Sequence, residues 1–466
     1  MRYFLLPLLI AIIVASCKVT KDYQRTDLNL PQQYRGVSYG DTSTIADVEW
    51  KTFFTEPELQ ALIQKGIEHN SDLSVALKNV DIADQQLRQA KVSWTPIVSG
   101  QATYQYNRPS GNSMNGAGLP LFIGSNHYND YLASLNLTWE AGIWGKITRQ
   151  KEAALDKYLE SYEARKAVQT KVVSDIAKGF YNLLMLDKQL AIAKNNLALS
   201  DTTLRLTKLL KDAGSATQLS VDQTQAQRES VAALIPQIEQ SITLQENALQ
   251  LLTGQYPGEI ARSAQLTSIA IPADLPVGLP ASIVSRRPDV RSAELNVMAA
   301  NAQVGVSAAN MYPKLTISAS TGFESLRASD WFNVGSWLGI ITAGVVQPIL
   351  NQRQLKTQYE TDKLKREQAA IQFRQSVLTA VGDVSNAMVQ IDKLKEQEKI
   401  TAQQSESLHS AINNSILLYK SDMANYLDVI TAQSNALQSD LNLASIRSST
   451  LMAVAELYRS TGGGWK

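Results

Sequence analysis

An internal repeat is the feature that most constrains how this 466-residue chain can fold. The stretch SDLSVALKNVDIADQQLRQAKVSWTP, Ser71 to Pro96, aligns without gaps on PDVRSAELNVMAANAQVGVSAANMYP, Pro288 to Pro313. A second match joins ATQLSVDQTQ, Ala216 to Gln225, to ANYLDVITAQ, Ala424 to Gln433. Self-similarity on this scale indicates two copies of one structural unit. We therefore predict a tandem duplication in which each repeat holds a helix, a strand pair, a long helix, a turn and a returning helix.

Proline placement predicts where the long helices lie. Residues 121–235 and 349–466 contain no proline, and both blocks are rich in good helix formers. The predicted helices are Lys146 to Lys211 and Thr217 to Thr253 in the first repeat, and Gln352 to Lys420 and Asn425 to Ser460 in the second. The longer ones would span roughly 100 Å. Apolar and small residues spaced alternately four and three apart along 437–458 predict coiled-coil packing, whereas Pro236 is expected to kink or weaken its helix.

The N-terminus has the pattern of an exported lipoprotein. The segment MRYFLLPLLIAIIVAS carries one arginine before an apolar run, Phe4 to Val14, that is too short to cross a bilayer as a mature helix. Two small residues precede Cys17, the only cysteine, so we predict a signal peptide over 1–16 and a covalent lipid at Cys17; the alternative is an incidental thiol. Lys18 favours an anchor in the inner leaflet of the outer membrane. Beyond the signal peptide, no apolar run approaches the roughly 18 residues of a membrane helix.

Four segments of about ten residues alternate between apolar and polar side chains, as strands with two different faces do. They are Val98 to Asn107 and Tyr131 to Ala141 in the first repeat, and Lys314 to Phe323 and, more weakly, Trp337 to Gln347 in the second. Tryptophans near their ends are predicted membrane-interface residues: Trp94, Trp139, Trp144, Trp331 and Trp337. Soluble half-buried strands show the same alternation, but its duplication in an exported chain favours a membrane barrel.

The predicted strands are too few for a barrel of their own. The smallest membrane barrels have about eight strands, and an open edge in lipid leaves backbone groups without partners. The barrel must then be shared between chains. Two chains would give about eight strands, whose interior is filled by side chains, so three chains with about twelve strands form the smaller plausible pore. The long helices would continue each strand pair as the wall of a tube below the membrane.

Charge and motif content argue against other functions. The chain has 44 basic and 43 acidic residues and a formal net charge of +1, so a nucleic-acid partner is not indicated. His69, His127 and His409 lie far apart, and the sequence has no glycine-rich phosphate loop and no nucleophile elbow. We therefore expect no enzyme activity, no cofactor and no metal site. GNSMNGAG, Gly111 to Gly118, is interpreted as a flexible extracellular loop. A lipid-anchored periplasmic coiled-coil scaffold without a pore is the alternative function.

The sequence resembles the TolC-type outer-membrane efflux proteins, and within them the lipoprotein (NodT/OprM-like) branch that serves tripartite resistance-nodulation-division pumps. Besides the lipoprotein box at Cys17, the similar segments are EPELQALIQKGIEHNSDL (Glu56 to Leu73), LTWEAGIWGKI (Leu137 to Ile147), LPASIVSRRPDVRSAE (Leu279 to Glu294), YLDVITAQ (Tyr426 to Gln433) and GGGW (Gly462 to Trp465). The resemblance implies a homotrimer in outer-membrane lipid that exports small molecules, such as drugs, toxic compounds or metals. It also implies two protein partners, a periplasmic adaptor (membrane fusion) protein and an inner-membrane resistance-nodulation-division pump.

The expected fold class is mainly α with a small β part. Long coiled-coil helical hairpins form a periplasmic tunnel, and four strands per chain contribute to a twelve-stranded transmembrane β-barrel shared in a trimer. The expected domains are the signal peptide 1–16, a lipid-anchored periplasmic segment 17–56, a first repeat 57–253, an irregular connector 254–287, a second repeat 288–460 and a tail 461–466. Strand pairs are expected at about 97–142 and 314–347, and turns at about 212–216 and 421–424.

The resemblance also implies a constriction at the periplasmic helix-turn-helix tips. Asp428 matches the carboxylate that lines it in the family, Ser220 occupies the duplicated position, and Thr431 stands where some relatives carry a second acid. A threefold ring of carboxylates can attract cations and act as a gate. The alternative is that Asp428 only stabilises the first turn of its helix through the dipole. Adaptor docking is expected at the turns, at Gly214, Ser215, Asp422 and Met423.

The segment RRPDVR is interpreted as the entry of a helix rather than as a ligand site. Pro288 suits a first helical position, and Asp289 suits the positive first turn. Arg286 and Arg287 are then expected to be solvated or paired before the helix.

Overall fold

The computed structural model describes residues 19–25, 27–35, 43–272 and 275–466. The predicted signal peptide and Cys17 lie outside these residues. The helices within them are α1 (Trp50–Phe53), α2 (Pro57–His69), α3 (Ser71–Val92), α4 (Met114–Ile123), α5 (Lys146–Asp212), α6 (Gln218–Leu252), α7 (Pro280–Arg286), α8 (Pro288–Ala309), α9 (Gln354–Lys420) and α10 (Tyr426–Ser460). The strands are β1 (Ile97–Asn107), β2 (Tyr128–Ala141), β3 (Lys314–Ser325) and β4 (Trp337–Val346).

Three pairs of equivalent helices in the two repeats have equal lengths. Helices α3 and α8 have 22 residues each, and they coincide residue for residue when Ser71 is aligned on Pro288. The long helices α5 and α9 have 67 residues each, and the returning helices α6 and α10 have 35 each. These lengths correspond to about 100 Å and about 50 Å. The duplication therefore preserved the lengths of these three pairs of helices.

The predicted fold class, helical hairpins with a small β part, is confirmed, and one local prediction, the flexible loop at Gly111 to Gly118, is wrong. Helix α6 continues through Pro236 within its predicted bounds, and the expected kink or weakening at this proline stays a prediction. Because this proline is exposed, water can satisfy the carbonyl that loses its helical partner. Helix α4 occupies part of the expected flexible loop; Ser113 caps it by accepting a hydrogen bond from Gly116 N (3.2 Å), and Gly124 ends it with φ of +72°.

The four strands form one antiparallel sheet in the order β1-β2-β3-β4. Ala102 pairs with Ala133, Ala133 with Phe323, and Phe323 with Trp337, so these four residues lie on one face. Within the described residues, β1 and β4 each have one neighbouring strand, and each leaves its other edge unpaired.

The chain divides into two compact units. The first comprises the described residues of Met1–Thr26, together with Asp81–Leu159 and Glu294–Ile371, and it contains the sheet. The second comprises the described residues of Asp27–Val80 and Glu160–Ala293, together with Gln372–Lys466, and it contains both hairpin turns. None of the described helices has an apolar stretch long enough to cross a membrane.

The core of the second unit forms where short helices pack against long ones. A Cβ atom on Gly66 of α2 would lie 2.3 Å from Ile176 Cδ1 of α5, so glycine permits this close approach. Tyr458 of α10 is fully buried and stacks on Phe53, with 4.1 Å between the ring centroids. The predicted seam along 437–458 is buried except for the half-buried Leu441.

Candidate functional site: the sheet faces and the hairpin tips

The sheet has an apolar face and a polar face, as the alternation predicts. Side chains on the apolar face include Val98, Ala102, Leu135, Leu137, Ile317, Phe323, Ile341 and Val345. Side chains on the opposite face include Gln101, Thr103, Asn136, Thr138, Thr316, Ser318 and Ser320. A few apolar side chains also lie on the polar side, including Ile97 of β1, Leu132 of β2, and Leu338 and Ile340 of β4. Much of the apolar face is exposed in the single chain, with Ile341 at 81%; a patch of this kind marks a contact with lipid or another protein.

Three of the predicted interface tryptophans lie at the end of the sheet where β1 and β3 begin. Trp139 donates its indole N–H to the carbonyl of Trp94 (2.8 Å). Trp144 donates to the carbonyl of Pro313 (2.6 Å), the residue just before β3. These hydrogen bonds satisfy the indole N–H of both residues, which is the polar edge of an otherwise apolar ring.

The other two predicted tryptophans lie at the opposite end of the sheet. Trp337 opens β4, and Trp331 contacts Tyr131 with 5.5 Å between the ring centroids. Trp139 is level with Ile317, and Trp337 is level with Phe323, six residues farther along β3. Six residues of strand span about 20 Å, so the sheet carries two aromatic rows about that far apart.

The turn of the first hairpin is a Schellman motif. Ser215 N donates to the carbonyl of Leu210 (2.8 Å), and Gly214 N donates to that of Lys211 (2.9 Å). Gly214 has φ of +82°, a left-handed conformation that suits glycine. Both predicted docking residues of this turn, Gly214 and Ser215, are exposed.

The second turn has the same geometry but no glycine. Met423 N donates to the carbonyl of Leu418 (2.9 Å), and Asp422 N donates to that of Tyr419 (3.3 Å). Asp422 therefore takes the left-handed place of Gly214, with φ of +58°. Both Asp422 and Met423 are exposed, so all four predicted docking residues lie on the surface of this chain.

The returning helices start with side-chain caps at equivalent positions. Thr217 Oγ1 accepts from Ser220 N (3.2 Å), and the two hydroxyl groups share a further hydrogen bond that holds Ser220 inside the hairpin. Asn425 Oδ1 accepts from Asp428 N (3.1 Å), while Asp428 Oδ2 accepts from Asn425 N (2.9 Å). This reciprocal pair is a capping box. Asp428 thus stabilises the start of α10 by hydrogen bonding, and its side chain remains exposed.

Side-chain hydrogen bonds tie the second hairpin to the first near the turns. The Tyr426 hydroxyl donates to the Gln223 side chain. Gln433 Nε2 donates to Thr203 Oγ1 (2.8 Å), and the Tyr419 hydroxyl donates to Thr207 Oγ1 (3.3 Å). Sequence reasoning missed these contacts because each joins residues more than 200 positions apart. The available signal was the polar Tyr and Gln at the two ends of YLDVITAQ.

The arginines of RRPDVR are paired rather than solvated. Arg287 is only 4% exposed and binds Asp383 (2.8 Å). Arg459 also contacts Asp383 (3.7 Å) and pairs with Glu456, which in turn pairs with Lys178. A buried guanidinium requires such countercharges, because an unpaired buried charge is strongly unfavourable. The segment is therefore part of the framework of the second unit.

The histidines stay apart in the structure. His69 lies near Glu68, His127 bonds to Ser125, and His409 bonds to Asp440 (3.0 Å). Across the described part of the chain, no group of three or more His, Cys, Asp or Glu side chains could hold a metal ion.

Comparison with known families identifies the protein class. The profile of the outer membrane efflux protein family matches two segments, residues 62–255 and 279–463. Each segment contains one strand pair and one helical hairpin. The chain belongs to the outer membrane efflux protein family. The two segments that the profile matches therefore correspond to the two repeats of the structure.

Similar proteins match nearly the full length of this outer membrane efflux protein and agree with its family membership. The cation efflux system protein CusC of Escherichia coli O6:H1 is 27% identical over 99% of each chain. The probable outer membrane lipoprotein SilC of Salmonella typhimurium is 26% identical over 97% of each chain. The solved open state of the MtrE outer membrane channel of Neisseria gonorrhoeae has the same fold, with a TM-score of 0.85 at 22% identity over 97% of this chain and 99% of that one. The predicted function as an outer-membrane component of an efflux system is confirmed.

Proposed function

We propose that three copies of this outer membrane efflux protein form one conduit, which carries small molecules from the periplasm to the exterior. The observation that carries the proposal is the pair of unpaired edges on β1 and β4. An open edge is a template for pairing with another chain, and in lipid it leaves backbone groups without partners. Three copies joined edge to edge give a closed barrel of about twelve strands, which is wide enough to leave a pore.

The two faces of the sheet support this arrangement. The apolar face would lie against lipid, between the two aromatic rows, and the polar face would line the lumen. In the middle of that face, Gln101, Thr103, Asn136, Ser318 and Ser320 carry amide or hydroxyl groups without charge. Such a lining can hydrate a passing molecule without selecting strongly for its charge. The cargo is therefore proposed only as a class, small molecules, although the similar CusC is a cation efflux system protein.

The proposed conduit is anchored by a covalent lipid at Cys17 in the inner leaflet of the outer membrane. The similar SilC is described as a probable outer membrane lipoprotein, which supports this placement. The proposed domain organisation is the one expected from the sequence, with repeats over 57–253 and 288–460 around the connector 254–287. No catalytic step and no cofactor other than the lipid enter the proposal.

The exposed hairpin turns are the proposed docking points for the periplasmic adaptor, which links the conduit to an inner-membrane pump of the resistance-nodulation-division class. Two features support this role. The turn residues Gly214, Ser215, Asp422 and Met423 are exposed, and the Schellman hydrogen bonds hold the backbone of both turns in one shape. A preformed surface loses less conformational entropy when a partner binds.

Asp428 is the proposed gate residue, and its role in the capping box must be separated from any role in a carboxylate ring. Asp428→Asn removes the charge but keeps an oxygen that can accept the hydrogen bond from Asn425 N. Asp222→Asn is the matched control, because Asp222 is also an exposed acid near the start of a returning helix. We expect Asp428→Asn alone to weaken channel block by divalent cations several-fold. Equal block in both variants would rule out the gate role.

The decisive experiment is single-channel recording of the purified protein in a planar bilayer, with its mass in detergent measured alongside. Discrete openings from a particle of three chains are the expected result. A monomer or dimer that never conducts, even when the tips are loosened by Tyr426→Phe with Gln433→Ala, would favour the lipid-anchored scaffold instead. These two substitutions remove cross-hairpin hydrogen bonds without touching the turns.

A further inference from the structure

The first described residues of the mature chain, Val19 to Arg25, lie along helix α8 and are held at both ends. This segment is called the strap here. At its start, the nearly buried Arg149 of α5 donates to the carbonyl of Thr20 (2.8 Å) and pairs with Asp22 (2.8 Å). At its end, Arg25 forms a two-pronged ion pair with Glu294, with N–O distances of 2.5 and 2.7 Å.

One face of helix α8 contacts the strap along its length. Glu294, Asn301 and Gly305 are spaced seven and four residues apart, which places them on the same side of the helix. Asn301 donates to the carbonyl of Lys21 (3.3 Å) between the two ends. A Cβ atom on Gly305 would lie 2.8 Å from Thr20 Oγ1, so glycine allows the strap to lie close to the helix.

The dimensions show that the strap is extended. Eleven residues of helix separate Glu294 from Gly305, a distance of about 16 Å. Five residues of strap separate Thr20 from Arg25, and a fully extended chain of that length spans about 16–18 Å. Glu294 is also 2% exposed, and a buried carboxylate is retained only with a partner of opposite charge. The strap is therefore almost fully extended between fixed contacts at its two ends, with little excess chain length.

A groove of about 400 Å³ opens beside the N-terminal end of the strap. Its wall includes Val19 and Thr20 of the strap, Leu87 of α3, and Trp144 and Leu155 next to or within α5. Leu155 is 43% exposed, so an apolar side chain faces the open groove. Trp144 also bonds to the residue before β3, which places the groove beside the end of the sheet.

We propose that this groove receives the lipid of Cys17, with the first methylenes of its acyl chains against Leu87, Trp144 and Leu155. The proposal rests on the lipidation proposed above. Cys17 precedes Val19 by two residues, a reach of about 7 Å at most, so its side chain can enter the groove from the strap. Each buried methylene is worth about 0.8 kcal/mol. The strap would then make the lipid a fixed part of the wall beside the sheet rather than a loose tether.

Photo-crosslinking tests where the lipid lies. A benzophenone amino acid replaces Leu155 in the full-length protein, with Leu159 as the control one helical turn farther along and also partly exposed. After irradiation and trypsin digestion, the peptide Glu152–Lys157 should carry the mass of lipidated Cys17-Lys18. The Leu159 variant should give at most a tenth of that yield.

Every other outcome overturns the proposal. Equal yields at both positions, no product with Cys17, or addition of a free phospholipid at position 155 would each remove Cys17 as the occupant. The mass of the N-terminal peptide from uncrosslinked protein reports separately whether Cys17 is lipidated at all. An unlipidated Cys17 would refute the proposed anchor as well, whereas bilayer recording would still test the conduit.

A second measurement tests the strap by protease access. Arg149→Gln should raise the rate of trypsin cleavage after Lys21 at least tenfold and lower the crosslinking yield at position 155. Arg88→Gln is the control, because Arg88 forms its exposed ion pair with Asp84 within α3 rather than with the strap. Unchanged cleavage in Arg149→Gln would show that Arg149 does not hold the strap.

Discussion

Each repeat is closed by a contact between the start of its first helix and the end of its returning helix, and the two contacts differ in chemistry. In the first repeat, Asn70 caps α3, and its Nδ2 donates to the carbonyl of Leu252, the last residue of α6 (2.9 Å). In the second, Arg287 stands at the equivalent position before α8 and donates to the carbonyl of Ser460, the last residue of α10 (3.4 Å). The duplication kept the position of this contact, which is called the repeat junction here, and changed the side chain that makes it.

The difference shows that a buried charged group needs partners that a buried neutral group does not need. A buried amide such as that of Asn70 is satisfied by hydrogen bonds alone. A buried guanidinium also needs countercharges, and Arg287 has two, Asp289 (2.9 Å) and Asp383 (2.8 Å). The second repeat junction therefore depends on charged residues of two helices, α8 and α9, whereas the first needs only backbone partners.

The largest effect is expected from Arg287→Ala. Removing the guanidinium leaves Asp383 and the carbonyl of Ser460 without this partner, and breaking a buried pair in this way costs about 3–5 kcal/mol. The measurement is the free energy of unfolding in denaturant, on protein purified in detergent. Arg287→Lys should lose less unfolding free energy, because lysine keeps the positive charge although it lacks the planar guanidinium group. A loss below about 1 kcal/mol in Arg287→Ala would show that Arg459 alone can neutralise Asp383.

A smaller loss is expected at the equivalent position of the first repeat. Asn70→Ala leaves the carbonyl of Leu252 and the N–H of Leu73 without side-chain partners, which costs about 1–3 kcal/mol. The same denaturation measurement applies. Asn195→Ala, at an exposed position of α5, should change stability by less than about 0.5 kcal/mol. The comparison between junctions fails if Asn70→Ala destabilises the protein more than Arg287→Ala does.

The hairpin turns extend the comparison to the other end of the repeats. Gly214→Ala places a Cβ in a left-handed conformation and should destabilise its turn by about 1 kcal/mol, whereas Asp422→Gly should stabilise the equivalent turn by a similar amount. Hydrogen exchange of the amides at 213–216 and 421–424 measures the local opening free energy. Changes of the same sign in both variants would show that the two turns are not equivalent.

The smallest effect is expected from pH. Burial on its own would raise the pKa of the Glu456 carboxyl, but hydrogen bonds from Arg459 and Lys178 outweigh it and hold the pKa below the ordinary value of 4.5. The carboxylate therefore stabilises the folded protein above pH 4.5, and this contribution is lost as the pH falls through the lowered pKa. The melting temperature of wild type should fall relative to Glu456→Gln between pH 5 and 3. A difference that stays constant with pH would exclude this role.

Much of the architecture could be predicted because it follows from local periodicity. Alternation along β1 and β2 predicts two faces, and the structure has them with polar Gln101 and Asn136 opposite apolar Ala102 and Leu135. Helix α4 was missed because the glycines and Pro120 in its sequence outweighed the capping signals of Ser113 and Gly124. The first junction could not be predicted, since it joins residues 182 positions apart and one partner is a backbone carbonyl that any residue supplies.

The duplication, the helix and strand types and the two-faced sheet can be read along the chain, because they depend on spacing and composition, and the family follows from the resemblance of particular segments. How the repeats are closed, where the strap lies and what Asp428 bonds to become visible only in the folded chain. Such contacts depend on which distant groups come within hydrogen-bonding distance, and no local pattern encodes that. Asn70 and Arg287 show this most directly, since two unlike side chains meet the same helix end in the two repeats.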